Sequence, residues 1–226
     1  GVKPVAEKEF LSEGEVRLKI IGKTNGIPLV KTEGIIKTSV PEFKQMETYS
    51  ITPQGSIKHF RDGSLSVKVG PLKFDFQYTD HVKSDDFPAS PVSPGMSWRS
   101  FERVRYQDSK GKGEAITVTS NIRVYMGSFI TNGRNIAIIR TFSKTHEFST
   151  IPGGPPLKNK DPNRYSLASG WILFDIKEGR SIKSVQNRIP TNKEIFGKQH
   201  SFKDPLPLAA LSDDPIFLTQ EIIISK

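Results

Sequence analysis

Four histidines, His59, His81, His146 and His200, are the first residues to weigh for chemistry, and none stands at the i, i+4 spacing of a zinc-binding HExxH helix. His81 with Asp85 and Asp86 could in principle hold a divalent cation, but such sites need more ligands than this cluster offers, so plain solvated side chains are the expected outcome and no metal is indicated. Three carboxylates invite a second reading. Asp75 and Asp175 lie within apolar runs, and with Glu102 they are the minimal equipment for glycoside hydrolysis, which needs two carboxyl groups about 5–10 Å apart. Strand alternation sets Asp75 beside Lys73 and Gln77 on a wet face, whereas Asp175 shares its face with Trp171 and Leu173 and is expected to be partly buried and paired. GxSxG, GxxxxGK[ST] and GxGxxG are absent, which removes the nucleophile elbow, the P-loop and the dinucleotide fingerprint. With 0 cysteines, disulfides, thiolate metal sites and a cysteine nucleophile are excluded together. No catalytic residue and no cofactor is assigned. Aromatic residues are the remaining resource. Phe74, Phe76, Tyr78, Trp98 and Trp171 are the candidate ligand-binding set, although such a stripe is more commonly plain core.

The elements that must position these residues have a period of two. In 14–21, Val16, Leu18 and Ile20 alternate with Glu15, Arg17 and Lys19, the pattern of a strand with one buried and one wet face. The pattern recurs at 64–69, at 72–78 and over 114–126, and no helix satisfies it, because neighbouring residues on a strand point to opposite sides. Further strands are expected at 27–38, 45–52, 55–60, 98–107, 134–143, 170–176, 181–189 and 215–225. Asp62-Gly63 and Asn132-Gly133 read as hairpin turns that want positive φ, as does Lys177-Glu178-Gly179. Short turns between successive strands imply an antiparallel meander, since parallel crossovers need a dozen residues or more. The expected fold is therefore mainly β: one large curved antiparallel sheet, half-barrel or barrel-like, with long loops and at most one or two short helices.

The whole chain, 1–226, reads as a single domain with a flexible segment at 1–10. Residues 79–97, 145–168 and 190–214 are too long for ordinary connections. The second is rich in Pro, Gly and Lys and is expected to be a mobile surface loop. The third is expected to be irregular or to hold a short helix, because Thr191 and Glu194 have capping-box spacing. A near-repeat, G-x-x-x-F-D at Gly70–Asp75 and Gly170–Asp175, is better explained by chance among similar strands than by duplication.

A net charge of +9, from 33 Lys plus Arg against 24 Asp plus Glu, draws the protein toward phosphate-bearing or acidic surfaces. The cations are spread along the chain without a basic stripe, so no specific nucleic-acid partner is expected. No run approaches the ~20 apolar residues that span a bilayer. The first residues have neither the apolar stretch nor the cleavage site of a signal peptide, so membrane association is expected only through a lipid anchor upstream of residue 1.

Residues 87–98, FPASPVSPGMSW, hold three prolines, a glycine and one of the two tryptophans. Proline fixes φ and removes a donor, so Pro88, Pro91 and Pro94 keep this segment extended and unpaired. Gly95 then permits the turn that sends Trp98 into the sheet, making the segment a rigid bridge anchored by the indole. The pattern F-P-x-x-P-V-x-x-G-x-x-W, followed later by Gly170-Trp171-x-x-Phe174-Asp175, resembles a group of uncharacterised exported bacterial proteins, many of them lipoproteins. Their outline is similar to the half-barrel sheets of LolA-like lipoprotein carriers, from which this chain differs in its prolines and in lacking clear covering helices. The resemblance implies an exported protein, periplasmic or anchored at the outer membrane or cell surface, and brings no catalytic residues. The leading expectation is thus a non-enzymatic binding or structural module of the cell envelope, whose partner is a hydrophobic small molecule, lipid-like or otherwise apolar, or an envelope protein. The alternatives are an adhesin or scaffold that holds acidic polymers through basic loops, 145–168 above all, and a carbohydrate-active enzyme built on Asp75, Asp175 or Glu102.

Overall fold

The computed structural model describes residues 12–38, 42–151, 162–197 and 216–221. Among them the chain forms one antiparallel meander in strict sequence order. The strands are β1 (Ser12–Thr24), β2 (Ile27–Thr38), β3 (Glu42–Ile51), β4 (Ile57–Val69), β5 (Leu72–Lys83), β6 (Ser97–Asp108), β7 (Glu114–Thr131), β8 (Arg134–Ser149), β9 (Asn163–Asp175), β10 (Arg180–Thr191) and β11 (Ile216–Glu221), with a single short helix, α1 (Lys193–Gly197), before the last strand. The sheet is large and antiparallel, as the alternation requires, and it is not closed into a barrel. No described helix is long and apolar enough to cross a membrane. The flexible segment expected at 1–10 lies outside the described residues.

Turn chemistry accounts for the order. Asn25-Gly26 and Asn132-Gly133 carry φ of 52° and 79° and of 47° and 71°, the left-handed pair that lets a two-residue hairpin follow the strand twist. The Asp62-Gly63 turn is not there. Both residues lie inside β4, which fuses the strands expected at 55–60 and 64–69. The glycine serves close approach instead: a Cβ at Gly63 would stand 2.9 Å from the Tyr78 ring and 3.1 Å from the Glu47 Cγ. The near-repeat likewise dissolves, for Gly70 turns the chain at φ 58°, while Gly170 sits within β9, where a Cβ would fall 2.0 Å from the Val185 carbonyl oxygen.

Two long connections are shorter than the sequence suggests. Strand β5 continues to Lys83, so 79–83 is not loop; β8 runs to Ser149 and β9 starts at Asn163, which takes both ends of 145–168 into the sheet and leaves 152–161 outside the described residues. The short helix falls in the third interval, but its cap is Asn192, whose side-chain oxygen accepts from the Ile195 N–H at 2.9 Å, one residue beyond the expected Thr191.

The two faces of the sheet differ, and register assigns every side chain to one of them. The 84–96 connection lies over one, here the loop face, where the Phe87 ring meets Phe174 of β9 at 4.8 Å. On the other, the helix face, Phe196 of α1 packs on Tyr165 at 4.9 Å and its carbonyl accepts from Lys144 at 2.7 Å. The best-buried strands are β8 and β9: Ala137, Ile139 and Ala168 are buried on the loop face, and Ile136, Phe142 and Leu167 on the helix face.

Candidate functional site

The loop face divides into two regions of opposite character. Over β6 to β9 it carries a hydrogen-bonded polar network beside the buried Ala137, Ile139 and Ala168, and the proline segment roofs it. The Trp98 indole N–H donates to the Asp86 carbonyl at 2.7 Å, anchoring the segment's far end to its beginning. Asp86 holds the rest: its carboxylate meets Lys83 at 2.5 Å and Arg123 at 3.0 Å, and its N–H donates to Gln54 O at 2.8 Å in the turn before β4. Gly95, at φ 89°, returns the chain to β7, where its N–H donates to Tyr125 O at 2.7 Å. Beneath this roof Arg123 donates to the Ser100 hydroxyl at 2.7 Å and Ser143 to the Asn121 carboxamide at 2.6 Å. The Thr119 and Thr145 hydroxyls bond at 3.1 Å.

At the border of the two regions His81 stands between two carboxylates. Its Nε2 bonds the Glu102 Oε1 at 2.8 Å, and its Nδ1 lies 3.4 Å from the Glu47 Oε1, an ion-pair distance without hydrogen-bond alignment. Glu47 belongs to β3 and His81 to β5, two strands apart; the contact passes over Gly63, whose missing side chain leaves the space. Tyr49 and Phe60 close round the imidazole at 6.1 and 6.3 Å. Burial by itself would lower the pKa of His81, but the hydrogen bond to Glu102 and the nearby charges of Glu47 and Glu102 outweigh it and push it up to about 9. The bond from His81 holds Glu102 below the usual carboxylate range against the opposing effect of burial. The group is therefore an imidazolium clamped by two carboxylates, a fixed charge that joins β3, β5 and β6.

The other region, β1 to β5, is apolar and open. Register aligns Val16, Gly34, Gln45, Leu65 and Phe76 in one row across five strands, and Phe43, Val67 and Phe74 in the next. Ile20 lies opposite Val30, and Leu18 opposite Thr32. The strand pattern at 14–21 predicts a buried apolar face, yet Val16, Leu18 and Ile20 are 66%, 61% and 64% exposed. The alternation is real, but no described residue covers it.

Against this geometry the five aromatic candidates separate. Phe76 and Tyr78 meet Tyr106 edge-on at 5.7 and 6.1 Å, and Phe74 shares their face. Trp98 is on the loop face too, as the anchor of the roof. Trp171 is not: it lies on the helix face, 44% exposed, with the Arg140 guanidinium 5.7 Å over its ring. The carboxylates also scatter. Asp75 and Asp175 are on the helix face four strands apart, roughly 19 Å at ordinary strand spacing. Asp75 pairs with Lys73 at 3.0 Å. Asp175, fully buried, accepts from the Glu178 N–H at 3.0 Å and shapes the turn into β10. Glu102 faces the other way. His81, Asp85 and Asp86 do not converge either: Asp85 is exposed, Asp86 is taken by cations, and His81 is buried in a strand rather than in a polar loop. Among the described residues no three acidic or histidine side chains are placed to hold a metal ion.

Glu47, Lys83 and Arg123 escaped sequence reasoning. The signal that hid the clamp is a β-bulge between Tyr78 and Asp80, which adds Thr79 to the strand and returns His81 to the face of Tyr78; strict alternation would have put Asp80 there. An open crease of about 370 Å³ lies on the helix face, lined by Arg17, Glu33, Lys44 and Met46 among others, away from the apolar rows. Comparison with family models, with curated proteins and with solved structures returned no match.

Proposed function

We propose that this protein is a non-enzymatic binding module of the bacterial cell envelope that holds a lipid-like apolar ligand against the β1 to β5 region of its loop face. The envelope setting comes from the resemblance of the proline–tryptophan segment and Gly170–Asp175 to exported lipoproteins. One observation carries the ligand: Val16, Leu18 and Ile20 stand more than 60% exposed on one face, Val16 in register with Leu65 and Phe76 and Ile20 opposite Val30. Covering those three aliphatic side chains would release about 1–2 kcal/mol each, enough to favour an acyl chain laid along the strands. The hydrogen-bonded region beyond the His81 clamp bounds the apolar rows on one side.

Native mass spectrometry of protein purified from its host is the direct test, with a co-purified hydrophobic molecule as the expected result. A fluorescent C16 fatty acid titrated into delipidated protein should bind, and Leu18→Asp/Ile20→Asp should weaken that binding tenfold or more, about 1.4 kcal/mol or more. No bound molecule together with no probe binding would overturn the reading.

A further inference from the structure

Of the five aromatic candidates Trp171 alone stands off the loop face, and its neighbours on the helix face share its exposure. Register sets it between Arg140 of β8 and Val185 of β10. One row nearer the β7–β8 hairpin, Leu173 lies beside Lys183, and one row further Phe129 of β7 is in line with Asp175 and Arg180. Trp171, Val185 and Phe129 are 44%, 39% and 41% exposed. Helix α1 packs on this face at Tyr165, toward the opposite end of β9, and leaves them open. The charge these rows present to solvent has one sign. Arg140, Lys183 and Arg180 are cations, the Arg140 guanidinium lying 5.7 Å over the indole, while the carboxylate among them, Asp175, is fully buried and accepts from the Glu178 N–H. Cations spread along the chain are gathered by strand pairing round one apolar patch.

We infer that this end of the helix face docks on the surface of an anionic lipid bilayer, with Trp171 at the level of the headgroups. Exposed apolar side chains rimmed by polar ones mark an interaction site, and the sign of the rim says with what. Indole rings settle in the interface of a bilayer, aliphatic and phenyl side chains reach the acyl boundary beneath it, and Arg and Lys meet the phosphates. An acidic polymer in water satisfies only the cations and leaves Val185 and Phe129 as wet as before. Asp175, enclosed by its own turn, sets no opposing charge against the lipid. The contact is made by the folded strands themselves and needs no lipid anchor. It lies on the other side of the sheet from the apolar rows of β1 to β5, so it goes beyond the ligand reading, and each has its own test.

Vesicle flotation reads it out, comparing phosphatidylcholine alone with phosphatidylcholine holding about 30 mol% phosphatidylglycerol. The wild-type chain is expected to float with the anionic vesicles and to bind the neutral ones on the order of tenfold more weakly or less. Phe129→Ser/Val185→Ser and Arg140→Gln/Lys183→Gln should each weaken anionic binding by on the order of tenfold, with a circular dichroism melt confirming that each still folds. Leu18→Ser/Ile20→Ser, which strips the ligand face without changing its charge, should float as wild type does. The chain has 2 tryptophans, and only Trp171 should respond to lipid. In the free chain iodide should quench it; on anionic vesicles its emission should shift to the blue, and Trp171→Phe should lose that shift. No flotation with anionic vesicles, equal flotation with neutral ones, or folded helix-face variants that float as wild type would each overturn the inference. So would a blue shift that survives Trp171→Phe, or lost flotation in Leu18→Ser/Ile20→Ser, which would assign lipid contact to the ligand face. Retention on heparin, or self-association, through these residues without vesicle binding would replace the bilayer with an acidic polymer or a second copy and overturn it equally.

Discussion

Removing the charge of His81 is the sharpest test of the clamp. In the folded chain the imidazole is pushed up to about 9 from an ordinary 6.5, the hydrogen bond to Glu102 and the charges of Glu47 and Glu102 overcoming burial. A raised folded-state pKa stabilises fully below the unfolded value and is lost as pH rises through the folded one. With those two values the linkage relation gives about 3 kcal/mol below pH 6, about 2 at pH 7.5 and about 0.4 at pH 9. Glu102, held low by the same hydrogen bond, ends the plateau on the acid side: as pH falls through its depressed pKa the interaction is lost again. Urea unfolding of wild type and of His81→Gln, every half pH unit from 5.5 to 9.5, measures the difference. His59, His146 and His200 remain in both proteins and cancel. The difference should fall by about 2–3 kcal/mol between pH 6 and 9. An NMR titration of the His81 ring supplies the midpoint independently. A difference curve flat across that window, or a ring midpoint near 6.5, would refute the clamp.

The remaining predictions concern the roof, the close approach beneath the clamp and the two aspartates. Asp86→Ala leaves Lys83 and Arg123 without their shared carboxylate and should cost about 2–4 kcal/mol, with hydrogen exchange rising through 87–96, as chemical denaturation and exchange mass spectrometry would record. Gly63→Ala drives a methyl into Tyr78 and Glu47 and should lower stability by about 1–3 kcal/mol in a thermal melt. Asp175→Ala removes a buried acceptor from the Glu178 N–H and should cost about 1–3 kcal/mol, whereas Asp75→Ala, at a half-exposed position, should stay within about 0.5 kcal/mol; equal effects would contradict the burial difference.

Particular residues show where local reasoning succeeded. The anchor role of Trp98 and the turn at Gly95 were legible because proline and glycine restrict backbone angles whatever surrounds them. The Asn132-Gly133 hairpin was legible for the same reason. Asp62-Gly63 has the same local chemistry and forms no turn, because β3 and β5 approach β4 so closely that the absence of a Cβ matters more than freedom in φ. His81 fell in the 79–97 connection because the alternation of 72–78 breaks at Thr79, where the bulge lies. The separation of Trp171 from Phe74, Phe76, Tyr78 and Trp98 depends on register carried over several strands, which no single stretch of sequence records.

The amino-acid sequence by itself determined an antiparallel meander, since alternate side chains must face opposite ways and two-residue turns can join only neighbouring strands. It also determined which residues share a face wherever a strand runs unbroken. Only the tertiary structure decided which faces are covered, that Glu47 and Glu102 enclose His81, and that Val16, Leu18 and Ile20 remain open. Burial and charge pairing depend on contacts between residues distant in the chain, and a single bulge resets the phase of every side chain beyond it.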